Sequence, residues 1–311
     1  MKKLAPRKEY GAALLELGRN NPDIVVLDAD LSGSTKTALF GAEFPDRFFN
    51  MGIAEQNMIG VAAGLASVGK IPFASTFAIF ATGRAWEQVR QSVAYSSVNV
   101  KIVATHGGVT VGPDGGSHQA VEDLALMRVL PNMVVLCPAD AVETRRMIET
   151  LVAYDGPAYV RLSRMAFPVI YDEGFSFVIG QADRLREGGD LTFIACGLMV
   201  HAALEAAEAL AREGISARVV NMSTLKPLDE SAVIEAADQT GAIVTAEEHL
   251  VIGGLGSAVA EVLAERAPAP LWRVGIRDKF GVSGSSEELL EHFGLTAASL
   301  AVAAREVLKR K

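Results

Sequence analysis

The chain has 311 residues, with 29 Lys and Arg against 37 Asp and Glu and a formal net charge of -8. That acidic balance argues against binding the phosphate backbone of a nucleic acid, and nowhere do ~20 apolar residues run without charge, as a membrane span requires. Met1 to Leu17 carries early positive charge but is broken by Glu9 and Glu16, so no secretory leader is read there and a cytoplasmic location is expected. The length exceeds what one core usually serves, which leads us to expect two domains of roughly 150 residues each. Cys137 and Cys196 each lie in an apolar run, and read as buried thiols rather than a disulfide or a metal site.

Strand-like and helical patterns alternate from the start. Helical spacing at Tyr10 to Leu17 precedes the apolar run Ile24 to Leu27, which leaves as Asp28-Ala29-Asp30-Leu31-Ser32-Gly33-Ser34-Thr35. The next helix spans Glu55 to Val68, and it opens on a charge flanked by Gly52, Ile53, Ala54, Met58 and Ile59. An acid at a helix N-terminus is favoured by the dipole when exposed; buried, it would need a partner. Ile71 to Ala74 is the second strand, and Ser75-Thr76-Phe77-Ala78-Ile79-Phe80 follows it. If that stretch is helical, Phe77 and Phe80 share a face, and beside a buried carboxylate they suit a flat heterocycle. A helix is expected at Gly83 to Tyr95.

After the strand Val100 to Val103, the chain runs Thr105-His106-Gly107-Gly108 and then Pro113-Asp114-Gly115-Gly116-Ser117-His118 into a helix expected at Gln119 to Val129. This would set His118 near a helix N-terminus, a place for anionic or hydroxylated ligands. Taken singly, His106 reads as a histidine satisfied by loop carbonyls, and Asp114 and His118 as a turn residue and a cap. Strands at Met133 to Leu136 and Tyr159 to Leu162, with a helix at Ala141 to Ala153 between them, complete the first unit, and Arg164 lies just past the last strand. Two histidines, an aspartate and an arginine at one rim of a sheet suit a phosphorylated polyol.

The rhythm breaks from Ala166 to Gly189, where Pro168, Gly174, Gly180, Gly188 and Gly189 fall. We place the domain boundary there: 1–170, a linker over 171–189, and 190–311. Strands at Leu191 to Cys196, Ala217 to Asn221, Ala242 to Ala246 and Leu271 to Gly275 then alternate with helices from Met199, Asp229, Gly254 and Leu295. The fold class is α/β, with two doubly wound domains of mostly parallel sheet. Ligands of such sheets bind outside the carboxyl ends of the strands. Gly253-Gly254-Leu255-Gly256-Ser257 could be mistaken for a phosphate loop, but reads as close helix–strand packing or a dimer contact.

Several of these segments, in order, resemble the C-terminal half of a transketolase: Pro6-Arg7-Lys8, Ala29 to Ser34, Gly52-Ile53-Ala54-Glu55-Gln56, Ser75 to Phe80, Thr105-His106, Asp114 to Gln119, and Leu162-Ser163-Arg164. The resemblance covers essentially the whole chain and implies a pyrimidine-binding domain followed by a transketolase C-terminal domain. It implies that Glu55 hydrogen-bonds N1′ of thiamine diphosphate, so that the exocyclic nitrogen can take the proton from thiazolium C2, and that Phe77 and Phe80 wall the pyrimidine. Asp30 is carried over as a further cofactor neighbour. Arg7, Ser34, His106 and Arg164 match positions that hold the sugar phosphate, where arginine's planar fork meets phosphate oxygens. Asp114 and His118 match residues that contact the ketose hydroxyls and carry protons.

In that family a Gly-Asp-Gly motif followed by Asn holds the diphosphate and its Mg²⁺ or Ca²⁺, and this chain contains no Gly-Asp-Gly. The expectation is therefore half of a split enzyme, with the metal held by an N-terminal subunit and two such pairs forming a heterotetramer. The substrates would be sugar phosphates. Two relatives of the same architecture compete: half of a 1-deoxy-xylulose-5-phosphate synthase, suggested by Asn221 to Asp229, and the β subunit of a 2-oxoacid dehydrogenase. The Asp114 to His118 loop and Arg164 weigh against the dehydrogenase, whose acyl product goes to a lipoyl arm. A non-catalytic scaffold has no physical need of Glu55, Asp114, His118 or the two arginines.

Overall fold

The computed structural model describes residues 2–311. Its strands, in chain order, are β1 (Lys3–Leu4), β2 (Ile24–Asp28), β3 (Phe48–Asn50), β4 (Ile71–Ser75), β5 (Lys101–Ala104), β6 (Val134–Leu136) and β7 (Ala158–Arg161). They continue as β8 (Phe167–Pro168), β9 (Asp183–Arg186), β10 (Leu191–Ala195), β11 (Ala217–Asn221), β12 (Thr224–Lys226), β13 (Ile243–Leu250) and β14 (Leu271–Ile276). Seven form one sheet in the order β12-β6-β7-β5-β4-β2-β3 and five a second in the order β14-β13-β10-β11-β9. Within these two sheets every pairing is parallel except those of the edge strands β12 and β9. The interior strands β2, β5 and β10 are buried at every residue, as expected of short Val/Ile/Leu runs covered on both faces.

Four consecutive neighbours of the first sheet, β7-β5-β4-β2, position the candidate site residues. From β2 the chain moves outward to β3 and then returns to the other side of β2 to make β4. In open α/β sheets such a reversal is where ligands are expected, outside the carboxyl ends of the strands, here β2 and β4. The segments leaving β2, β4 and β5 carry Ser34, Phe77 and His106, and Arg164 lies just beyond β7.

The tertiary structure departs from the sequence pattern in three places. The stretch 171–189 is not wholly linker, because β9 within it adds an antiparallel edge to the second sheet. Conversely, β12 lies in the second half of the sequence but pairs with β6 of the first sheet. The helix expected from Gln119 begins only at Asp123. Ala120 is bridged to Gly107, and the Val121 carbonyl accepts the Leu250 amide at 2.7 Å, so these residues are held in extended pairing and not in a helical turn. His118 accordingly sits in a turn, not at a helix N-terminus.

The two halves share much of their interior. One apolar cluster joins Leu27, Ile102 and Tyr159 to Ile194, Val220 and Leu225; a second joins Val109, Val121 and Ala139 to Phe193 and Val244. Cys137 and Cys196 are both free and buried, and lie side by side where the halves meet. There the Gly197 amide reaches the Cys137 carbonyl at 3.3 Å. Helix–strand packing accounts for the glycines after β13: a Cβ on Gly254 would lie 2.0 Å from Glu247 Oε2. That carboxylate already accepts the Leu255 and Gly256 amides at 2.7 and 2.8 Å, filling the helix N-terminus from within.

Candidate active site

Glu55 is the first residue of the helix Glu55–Ser67 and only 1% exposed. It is thus a buried carboxylate, which needs a partner. The partner is Arg84, whose Nη1 donates to both carboxylate oxygens at 3.0 and 3.1 Å. Sequence reasoning passed over Arg84, although it follows Phe80 by four residues in a helical stretch and so falls on the same side. The local helix is of the wide π type over Phe80–Arg84, a form enriched at functional sites. The Arg84 guanidinium lies over the Phe80 ring, 4.5 Å from its centroid, within cation–π range.

Phe77 and Phe80 stack nearly parallel, at 12° with centroids 5.9 Å apart. A ring held between two others needs about 7 Å, two carbon contacts of ~3.5 Å. The pair therefore forms one continuous wall, not a slot. The Phe77 face is covered by the His106 ring at 3.7 Å. His118 stands edge-on to Phe80, with centroids 5.4 Å apart. The contacts run unbroken from Arg84 and Glu55 through Phe80 to His118, and through Phe77 to His106.

His106 ends this path among cations. Its Nδ1 is paired with Thr105 Oγ1 at 2.8 Å, leaving Nε2 as the nitrogen for a ligand. Burial, then the nearby Arg7, Arg164, His118 and Lys36, push its pKa down to about 3, so the ring is neutral at ordinary pH. Arg7 donates Nη1 to the Ser34 carbonyl at 2.8 Å, so the Ser34 contact is through backbone, and its Nε is buried without a partner among the described residues. Burial and the neighbouring Arg164 hold the Arg7 guanidinium below its usual range. Arg164 is anchored by the Val111 carbonyl. Like charges gathered in a protein of net charge -8 suit an anionic ligand. Lys36, at φ 76°, is a member of this group that the sequence pattern did not flag.

Asp114 and Asp30 are not drawn into the cluster. Asp114 is exposed on a turn of the His118 loop and makes no side-chain hydrogen bond among the described residues. Asp30, exposed at φ 62°, accepts from Asn50 Nδ2 at 3.0 Å. The neighbouring Asp28 does the local structural work: fully buried, it accepts from the Leu31 amide at 2.6 Å and from the Thr35 and Thr37 hydroxyls at 2.7 and 2.8 Å. This shapes the loop that presents Ser34. Among the described residues, no group of three or more His, Cys, Asp or Glu side chains could hold a metal ion.

Residues 2–169 match the transketolase pyrimidine binding domain and residues 180–300 the transketolase C-terminal domain. The chain is 49% identical to a 6-deoxy-6-sulfo-D-fructose transketolase subunit of a Clostridium species, over 98% of this chain and 95% of that one. It is 42% identical to an apulose-4-phosphate transketolase subunit of Phocaeicola vulgatus, over 99% of this chain and 98% of that one. Among solved structures it superposes on a split gene transketolase, an inactive beta4 tetramer, with a TM-score of 0.91 and 55% identity, covering 99% of each chain. Against the transketolase of Leishmania mexicana, the TM-score is 0.85 at 29% identity, and the chain spans 46% of that longer protein. The chain belongs to the transketolase family, as a pyrimidine-binding domain joined to a transketolase C-terminal domain.

Proposed function

We propose that this chain is the C-terminal subunit of a split, thiamine-diphosphate-dependent transketolase that moves a two-carbon ketol unit from an anionic ketose to an aldose phosphate. The observation that carries the reading is the unbroken path from the buried Glu55 carboxylate, along the Phe80–Phe77 wall, to the Arg7, Arg164, Lys36 and His106 cluster. Glu55 and the Phe80 ring fit an aminopyrimidine, one by hydrogen bonding and the other by stacking, with Arg84 repositioned or shared. When bound, thiamine diphosphate supplies the electron sink for the transferred carbanion. Glu55 fixes the pyrimidine nitrogen. The arginines hold the distal anion, and His106 and His118 face the carbon chain between, where neutral His106 can donate or accept through Nε2.

The relatives' names support a ketose with a terminal anion, since one is named for a sulfonated and another for a phosphorylated sugar. The likeness over 99% of a split gene transketolase chain, and over only 46% of a longer transketolase, supports a second polypeptide that holds the diphosphate and its Mg²⁺ or Ca²⁺. An N-terminal subunit would cover the cofactor at the Glu55 end of this site. Two such pairs would form the heterotetramer. No helix among the described residues is long and apolar enough to cross a membrane. Beyond the Asn221 to Asp229 segment, no observation favours the synthase or dehydrogenase readings.

The test is ketol transfer from xylulose 5-phosphate to ribose 5-phosphate, with thiamine diphosphate and Mg²⁺, for the chain alone and mixed with a polypeptide bearing the diphosphate domain. Activity is expected only in the mixture. Activity of the chain alone, or inactivity of a mixture that forms a complex and binds cofactor, would overturn the proposal.

A further inference from the structure

The loop bearing His106, Asp114 and His118 contains one short 3-10 turn, Val109–Val111, and is otherwise irregular. A loop of this kind needs its backbone groups satisfied from outside. Much of that support comes from the second domain. Glu248, near the end of β13 and 4% exposed, reaches across the interface so that its Oε1 accepts the Thr110 amide at 2.7 Å. Ser286 Oγ donates to the Thr110 carbonyl at 2.9 Å. Gln119 ties the two sides together, its Nε2 lying 3.2 Å from the Val109 carbonyl and 2.9 Å from the Val282 carbonyl.

Glycine makes the approach possible. A Cβ on Gly108, which adopts φ 83°, would lie 2.2 Å from the Glu248 carboxyl carbon, and one on Gly107 would lie 2.3 Å from Arg161 Nε. Arg161, 4% exposed, donates to the Glu248 carbonyl at 2.7 Å and pairs with Asp123 at 3.2 Å, so the acid has a cation beside it. A buried carboxylate aimed at one amide of a functional loop, with glycines clearing its path, has no part in the reaction chemistry derived above.

We propose that Glu248 is a positioning residue: the C-terminal domain, acting through its carboxylate and Ser286, sets the height and register of the loop that presents His106 and His118 to the ketose. The activity arm of its test rests on the function proposed above; the exchange arm does not. In Glu248→Ala, amide hydrogen exchange over residues 108–118 of the isolated chain should rise about tenfold, with the helix Glu55–Ser67 unchanged. In the assembled enzyme, kcat/KM for xylulose 5-phosphate should fall about tenfold while thiamine diphosphate affinity stays within about threefold. Glu248→Gln keeps an oxygen for the Thr110 amide and should restore both readouts to within about threefold of the parent. Ser286→Ala, which lies nearer the surface, should move both in the same direction by less, and serves if the alanine variant at 248 does not fold. An unchanged loop in Glu248→Ala, exchange raised evenly along the chain, a loosened loop with parental kcat/KM, or a glutamine variant as impaired as alanine would each overturn the proposal. If the parent assembly transfers no ketol unit, the proposed function fails, and the exchange pattern alone decides this inference.

Discussion

At Glu55 the burial of a single side chain motivates the role proposed for it. A carboxylate at the start of a helix is ordinarily a surface acid, but this one is buried and held by Arg84 at 3.0 Å. Glu55→Gln keeps the shape and removes the charge, and half-exposed Arg84 can turn to solvent, so the fold should persist. Ketol transfer by the assembled mutant should fall about 100-fold or more, on the scale of losing a central electrostatic group; parental turnover would refute the role. His106 offers an independent test. Because burial and neighbouring cations push its pKa down to about 3, the ring should show neutral nitrogen shifts by NMR from about pH 8 down to about pH 5. The unfolded chain binds a proton on this ring below about 6.5, which the folded chain does not. The contribution of His106 to stability is therefore present above about 6.5 and is lost as pH falls from there toward about 3. A midpoint near about 6.5 in the folded protein, the ordinary histidine value, would contradict the cluster.

Among elements, the buried interior strands were legible, and the edge strands β3, β9 and β12 and the irregular segments were not. Short apolar runs such as Ile24 to Asp28 and Leu191 to Ala195 announce themselves because both faces are buried. The start of the helix at Asp123 was not legible, because a bridge to Gly107 and a bond from Leu250 withhold residues 120–121, and both partners are remote in sequence or turn on a loop. Phe77 and Phe80 were found by spacing, but whether they made a slot or a wall depended on the 5.9 Å that only packing fixes. Gly108 is where the loop is most exposed to test. Its φ of 83° and the 2.2 Å approach of Glu248 to the position of a Cβ mean that Gly108→Ala combines backbone strain with overpacking. The cost should be about 2–4 kcal/mol, seen as a lower midpoint in denaturant; an unchanged midpoint would show that the loop can yield.

For the molecule as a whole, the shared cores and the crossing of β12 into the first sheet mean that neither half owns a complete interior. We expect a single cooperative transition by calorimetry for the intact chain, and no cooperative transition for a fragment of residues 2–170, which would leave β6 as an unpaired edge and bare the apolar side that faces Ile194 and Val220. Two separate transitions would show that the halves fold independently. Sequence alone determined the α/β class, most strands and the residue types of the site, because hydrophobic period and polar residues at strand ends are local properties. It also marked Glu55, Arg7, His106, His118 and Arg164 through their ordered motifs. Only the tertiary structure decided that Arg84 and Lys36 join them, that Asp30 and Asp114 stand apart, and that Glu248 supports the loop, because those outcomes depend on distances and burial between residues that the sequence keeps as much as 138 positions apart.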